Sequence, residues 1–556
     1  MIRFTTRTRR PSWMPYSHTT LAAPILMAMP APYLQPFELI AVVGCGLIAW
    51  LLIAPPLARP ARIALSLSSL LCLCVAAASF VAPQFVPLAM RTVDDKAVVE
   101  AALHEPVVRA EDPEFVGSKA CRACHPGAFS TWHDSYHRTM TQKPSPATVV
   151  GRFDGVMMQI GGRSIRMSRV GDDFFAEFPA AEGAPGAGKL VRRRIVLTTG
   201  AHHQQAYWFA TGAGRELALA PVVWVRASQA WVPFDDIFVR PPATATDEPT
   251  ELKSTGQWNR TCIRCHTTQP RERFGDSDVA EHGITCEACH GPGRTHVARW
   301  RSPLLRYAAH VRRALTPSTG LPKSADDHIV QPKKLGHNRG SEICGQCHAP
   351  LAGDPERFDS EQEHGSSYRA GDELAKHASL VRGDSGAGRD KRPQHAPANE
   401  QPVGGHRLLS GLFFRDGGLR VSGREFAALS RSACYQRGKL GCATCHKMHG
   451  PREAADDQLA PGMRGDTACT GCHTKLASSA AAAAHSGHPH ESSGARCMNC
   501  HMPNTAWGLL KATRDHEIRS PNIAGDRAAG RPNACNLCHL DKTETWAETH
   551  FNTIFG

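Results

Sequence analysis

The sequence predicts a chain of mostly short α-helices and coil with a small antiparallel β insert, preceded by an N-terminal transmembrane hairpin. Three observations predict it. Eight copies of the pattern C-x-x-C-H are spread between residues 121 and 539 of a 556-residue chain. The stretch between the first and second copies alternates apolar and polar residues with Gly-rich breaks, and two apolar runs precede the first copy.

The apolar runs come first in the chain, from about Phe37 to Ile53 and from about Ile63 to Val81. Each is near the length that crosses a bilayer, so residues 1–90 are expected to form an anchor of two helices. The alternative is a cleaved leader, since Arg59 and Arg62 precede the second run and Ala76 to Ser79 supply small residues near its end. The Arg3, Arg7, Arg9 and Arg10 cluster would lie outside in a two-helix hairpin, against the positive-inside tendency. A third, Pro-interrupted span around Leu21 to Leu34 would place it inside. The anchored reading puts the protein in a bacterial inner membrane, with the motif-bearing part on the extracytoplasmic side.

The motifs are Cys121-Arg-Ala-Cys124-His125, Cys262-Ile-Arg-Cys265-His266, Cys286-Glu-Ala-Cys289-His290, Cys344-Gly-Gln-Cys347-His348, Cys442-Ala-Thr-Cys445-His446, Cys469-Thr-Gly-Cys472-His473, Cys497-Met-Asn-Cys500-His501 and Cys535-Asn-Leu-Cys538-His539. Chance would supply roughly 0.04 such matches at this composition. Two thiols at this spacing can add to the two vinyl groups of one haem, and the adjacent histidine then reaches the iron. Eight covalent haem c groups are therefore expected. Zinc sites need four protein ligands and do not require a histidine after each pair, and a thiol redox site would occur once. Of the twenty cysteines, Cys45, Cys72, Cys74 and Cys434 lie outside any motif and read as small hydrophobes.

The formal charge is +13, from 64 Lys and Arg against 51 Asp and Glu. Haem propionates change that balance: each bis-histidine haem brings about −1 when oxidised and about −2 when reduced. The basic excess is thus mostly internal compensation, and nucleic acid is not expected as a partner.

After the anchor, residues 91–148 read as a linker and the first haem site. Residues 149–254 read as the haem-free β insert, on the alternation in Val156-Met-Met-Gln-Ile160, Arg163-Ser-Ile-Arg-Met167 and Arg194-Ile-Val-Leu-Thr198. Haems two to four follow in 255–350, a long loop region in 351–431, and haems five to eight in 432–556.

A second axial ligand for each iron must come from elsewhere among the 29 histidines. His137, His203, His296, His449, His485, His488, His516 and His550 are the candidates, each near a motif or, for His203, paired with His202 in the haem-free region. Met140, Met448 and Met502 also lie near motifs and would raise the potential of a haem they ligated.

The blocks Phe115-Val-Gly-Ser-Lys-Ala-Cys-Arg-Ala-Cys-His125 with Trp132 and His137, Gly283-Ile-Thr-Cys-Glu-Ala-Cys-His-Gly-Pro-Gly293 with His296, and Leu440-Gly-Cys-Ala-Thr-Cys-His-Lys-Met-His449 resemble the cytochrome c-554/c-prime type domains of the multihaem cytochrome c superfamily. The resemblance spans roughly residues 114–556. It implies a multihaem cytochrome c fold of closely packed haem pairs, and it carries His137, His296, His449 and His488 over as distal ligands. That superfamily holds electron carriers as well as oxidoreductases acting on nitrite, hydroxylamine or tetrathionate.

The leading functional expectation is an electron relay between a membrane donor and an extracytoplasmic acceptor, with other redox proteins or a membrane electron-transfer complex as partners. The alternative is an oxidoreductase acting on a small nitrogen or sulfur compound at a haem with an open coordination site. A third reading makes the β insert, with Trp208, Trp224 and Trp231, a docking module. All eight motifs end in histidine, and no catalytic residue is assigned.

Overall fold

The computed structural model describes residues 105–180, 187–237, 254–272, 276–315, 329–382, 411–450 and 458–555. The chain divides into two units, residues 1–93 and 94–556, and only the second contains described residues.

The expected small β insert is corrected by a nine-stranded antiparallel sheet. Its strands are β1 (Thr141–Gln142), β2 (Asp154–Ile160), β3 (Arg163–Val170), β4 (Asp173–Pro179), β5 (Leu190–Thr199), β6 (Gln204–Ala210), β7 (Leu217–Leu219), β8 (Val222–Val225) and β9 (Ala230–Pro233). The main path runs β9-β8-β6-β5-β4-β3-β2, with β1 pairing β5 and β7 pairing β6. β2 and β3 are joined by Gly161-Gly162, both with positive φ, which fixes a tight hairpin with Met158 opposite Ile165. The sheet curls until its edges meet: a Cβ on Gly161 would lie 3.6 Å from the ring of Pro233 on β9.

The size was underestimated for a physical reason. β2 and β3 show alternating exposure, but the interior of β6 and nearly all of β8 are buried on both faces. Segments of that kind read as short apolar runs without a period of two. One face gathers Ile165, Met167, Phe174, Phe178, Tyr207, Phe209 and Trp224 into a core. The other packs Leu197, Trp208, Leu217 and Val223 against Trp258, which precedes the second motif, and Ile263, which lies within it.

The remainder consists of short helices and coil. The helices include α1 (Ser118–Arg122), α2 (Pro126–His133), α3 (Tyr136–Thr139), α4 (Ile263–His266), α5 (Cys286–His290), α6 (Arg294–Trp300), α7 (Pro303–Leu315), α8 (Gly336–Gly345), α9 (Glu425–Leu429), α10 (Cys442–Cys445), α11 (Thr467–Thr470), α12 (Ser479–Ser486) and α13 (Cys497–His501).

The expected transmembrane hairpin falls in residues 1–90, outside the described residues. Among the described residues no helix is long and apolar enough to cross a membrane. The inner-membrane expectation rested on that hairpin and has no spanning helix among the described residues to support it.

Candidate haem sites and their order

Each motif occupies about one helical turn, which brings positions i, i+3 and i+4 to the same side. The turn closes through the backbone: the amides of His125, His348, His446, His473 and His539 each donate to the carbonyl of the motif's first cysteine at 2.8 to 2.9 Å. Both thiols and the imidazole thus address one volume.

Six motif histidines face a second histidine ring. The pairs are His125 with His296 at 6.4 Å between centroids, His348 with His137 at 6.2 Å and His290 with His449 at 6.2 Å. His446 with His516 at 6.3 Å, His501 with His485 at 6.1 Å and His539 with His488 at 6.2 Å complete the set. A metal–imidazole bond of about 2.0 Å on each side of one ion sets the two centroids about 6 Å apart. Among the described residues no cluster of three or more His, Cys, Asp or Glu side chains could hold a metal ion. Two trans imidazoles with a pair of thiols beside one of them is the donor set a covalent porphyrin needs, since the macrocycle supplies the other four nitrogens.

Hydrogen bonds at Nδ1 orient many of these rings and leave Nε2 for the iron. His290 pairs with the Val330 carbonyl at 2.7 Å, His501 with that of Arg519 at 3.1 Å, His516 with that of Arg514 at 3.0 Å and His488 with that of Ser486 at 2.7 Å. His348 instead reaches the Glu425 carboxylate on α9 at 2.9 Å. Burial pushes His137 and His266 down to about 4, so both are neutral at ordinary pH.

Two sequence candidates sit elsewhere. The His203 ring lies 3.3 Å from Lys511 Nζ and beside Tyr136, and His550 stacks on Trp546, itself 5.0 Å from His539. Among the described residues no histidine faces His266 or His473 at the 6 Å spacing; the ring next to His266 is Trp258, at 6.3 Å. Met448 places its sulfur 3.8 Å from Gln458 Nε2. Glu425 had no sequence signal, because it lies 77 residues from its histidine.

The thiols order the sites. Cys121 lies beside Cys286, Cys265 beside Cys347, Cys344 beside Cys442, and Cys469 beside Cys497. Cys289 is within electrostatic range of Cys344 and Cys347, Cys445 of Cys469, and Cys500 of Cys535 and Cys538. Numbered by motif, the sites run 1-3-4-5-6-7-8, with site 2 as a side branch on site 4.

Family models match at two places: cytochrome c554 and c-prime over residues 241–291, and cytochrome c552 over residues 484–553. The chain is a multihaem cytochrome c. As such it binds covalent haem c and has an electron-transfer or redox function. No curated protein matches. A solved structure titled "Crystal Structure of Outer Cell Wall Cytochrome OcwA" is similar at 17% identity and TM-score 0.49, covering 79% of this chain and 86% of that one.

Proposed function

We propose that this cytochrome is an eight-haem electron relay whose irons are saturated by two histidines at six sites. The carrying observation is the set of six facing pairs at 6.1 to 6.4 Å. An iron with two fixed imidazoles changes redox state with little reorganisation and offers no position to a substrate. The neighbouring order of the thiols from site 1 to site 8 supports a path through the protein rather than isolated cofactors. Other redox proteins are the expected donor and acceptor. The test is haem-to-protein stoichiometry with electron paramagnetic resonance on the oxidised protein. Eight haems with at least six low-spin signals support the relay; fewer than six low-spin haems overturns it.

A second reading, an oxidoreductase acting on a small nitrogen or sulfur compound, draws on site 2. It is the side branch, and no described histidine faces His266. Beside it, Tyr136 stacks 3.9 Å from His202, whose Nε2 lies 2.9 Å from Thr139 Oγ1, and His203 contacts Lys511. This cluster abuts the site because the Met140 carbonyl approaches the His266 ring and Leu509 packs in the cluster that includes Cys262. A bound haem would supply the electrons; Lys511, His202, His203 and Tyr136 would hold an anion and deliver protons. Nitrite or carbon monoxide binding that is lost in a Cys262→Ala/Cys265→Ala variant would favour this reading, and no ligand-induced spectral change in the parent protein would remove it.

A further inference from the structure

Site 1 ends the ordered series of thiol contacts, and its facing histidine, His296, lies on α6. Trp300 is one turn further along that helix, its ring 6.3 Å from the His296 ring. Ser302 and Pro303 then restart the chain as α7: Ser302 Oγ accepts from the Leu305 amide, and proline suits the first helical turn because it needs no amide donor.

The first turns of α7 carry an unusual surface. Leu304 is 79% exposed and Tyr307 is 70% exposed, with Leu305 beside them. Arg301 and Arg306 flank this patch, both exposed. Across site 1, Lys119 and Arg122 on α1 are exposed as well. Isolated exposed leucines need no explanation, but a contiguous apolar patch with a cationic rim, one helix away from the terminal site, has the composition of an interface.

We infer that the α6–α7 surface is where an acidic redox protein docks, with an apolar centre over Leu304 and Tyr307 and carboxylates opposite Arg301 and Arg306. This rests on the relay reading. One electron would pass from the partner's redox centre to the haem that His125 and His296 would hold, with Trp300 beside His296; no bond forms or breaks. An acidic partner fits the positive rim, and the patch lies one helix from the histidine that faces the terminal motif, where a redox partner rather than a lipid surface gains from contact. Rim charges set the encounter rate, so the signature is kinetic.

The test uses the full chain, photoreduced flavodoxin as an acidic protein reductant, and reduced riboflavin as a small reductant that needs no docking. We expect flavodoxin to reduce the haems at a rate that falls about tenfold between low and high salt. We expect the double variant Arg301→Glu/Arg306→Glu to cut that rate by about tenfold at low salt, and Leu304→Ala/Tyr307→Ala to cut it about threefold at all salts, with the riboflavin rates unchanged. A flavodoxin rate indifferent to salt and to both variants overturns the inference. So does sedimentation with anionic vesicles, or self-association, that the Leu304→Ala/Tyr307→Ala change abolishes, since lipid or a second copy would then be the occupant. Failure of the relay reading is separate: electron paramagnetic resonance on the parent protein would show fewer than six low-spin haems, whatever the flavodoxin rates.

Discussion

His348 and Glu425 are joined by a 2.9 Å hydrogen bond that ties the motif of site 4, where the side branch meets the main path, to α9. Burial opposes the ionisation of Glu425, yet the hydrogen bond with His348 and the charges of His348 and His516 together outweigh it and hold the carboxyl well below the usual range. A carboxylate on Nδ1 makes the imidazole a stronger donor to its iron and favours the ferric state. We expect Glu425→Gln to raise the potential of one haem by tens of millivolts while leaving haem content intact. Spectroelectrochemical titration checks it, and an unchanged set of midpoint potentials refutes it.

On the opposite side of site 4, His137 Nδ1 lies 3.2 Å from Gln458 Nε2, while Gln458 Oε1 is buried without a partner. An axial His137 needs its proton on Nδ1, so the amide turned by half a revolution satisfies both groups at once. His137→Ala should convert one low-spin haem to a high-spin one that binds carbon monoxide. Gln458→Leu should keep the haem low-spin but shift its potential. Electron paramagnetic resonance separates the two outcomes.

The motifs were legible because C-x-x-C-H is local: one helical turn fixes both thiols and the imidazole. Candidate distal histidines could be named because they lie near a motif in sequence, but their partners could not, since His137 sits after motif 1 and faces His348 of motif 4, and His449 follows motif 5 and faces His290 of motif 3. Such exchanges are set by packing between segments. The sheet was underestimated where strands such as β6 and β8 are buried on both faces and lose their period, and the Glu425 contact carries no sequence signal at all.

Asp112 braces the segment before motif 1. Its Oδ1 accepts from the amides of Glu114 and Phe115, both at 2.9 Å, and its Oδ2 from Arg109 Nη2 at 2.8 Å. Burial raises its pKa, but these bonds and the Arg109 charge lower it further, for a net value below the ordinary 3.8. A carboxyl depressed on folding contributes stability that is complete above its unfolded value and is lost as pH falls through the folded one. Asp112→Asn should therefore cost about 1.5 to 3 kcal/mol at neutral pH. The gap from the parent protein should close below about pH 4. Denaturant melts at pH 7 and pH 3 test this, and an equal deficit at both would be wrong for it.

Within the sheet, Gly151 passes so close to the core that a Cβ would lie 2.5 Å from Tyr207 Oη and 2.8 Å from the Trp231 ring. Gly151→Val should destabilise the sheet by about 1 to 3 kcal/mol through overpacking. Haem content should hold, because Gly151 abuts the core on the face of the sheet away from Trp258 and Ile263. Loss of haem in step with loss of the sheet would show instead that site 2 depends on it.

Arg531 gathers the segments around the last sites. Its side chain is fully buried; Nη2 reaches both Asp416 oxygens at 2.6 Å, and Nη1 approaches Asp515 at 3.4 Å and Glu517 at 3.5 Å. The guanidinium also lies 4.9 Å from the Phe414 ring, and a Cβ at Gly418 would collide with it. Asp515 and Glu517 flank His516, the ring that faces His446, so the cation fixes the backbone that presents this ligand. Removing the cation takes one of two guanidinium partners from Asp515 and Glu517, which keep Arg519 and Arg431, at a cost of about 1 to 3 kcal/mol. Arg531→Met should therefore lower stability and, in protein that still folds, loosen His516 so that a high-spin fraction appears at site 5. Arg531→Lys should restore part of the stability but less of the low-spin signal, because an ammonium cannot span Asp416 and Asp515 together as the planar fork does. Thermal melts combined with electron paramagnetic resonance read both effects, and full low-spin occupancy in a folded Arg531→Met protein would show that His516 is held without the cation.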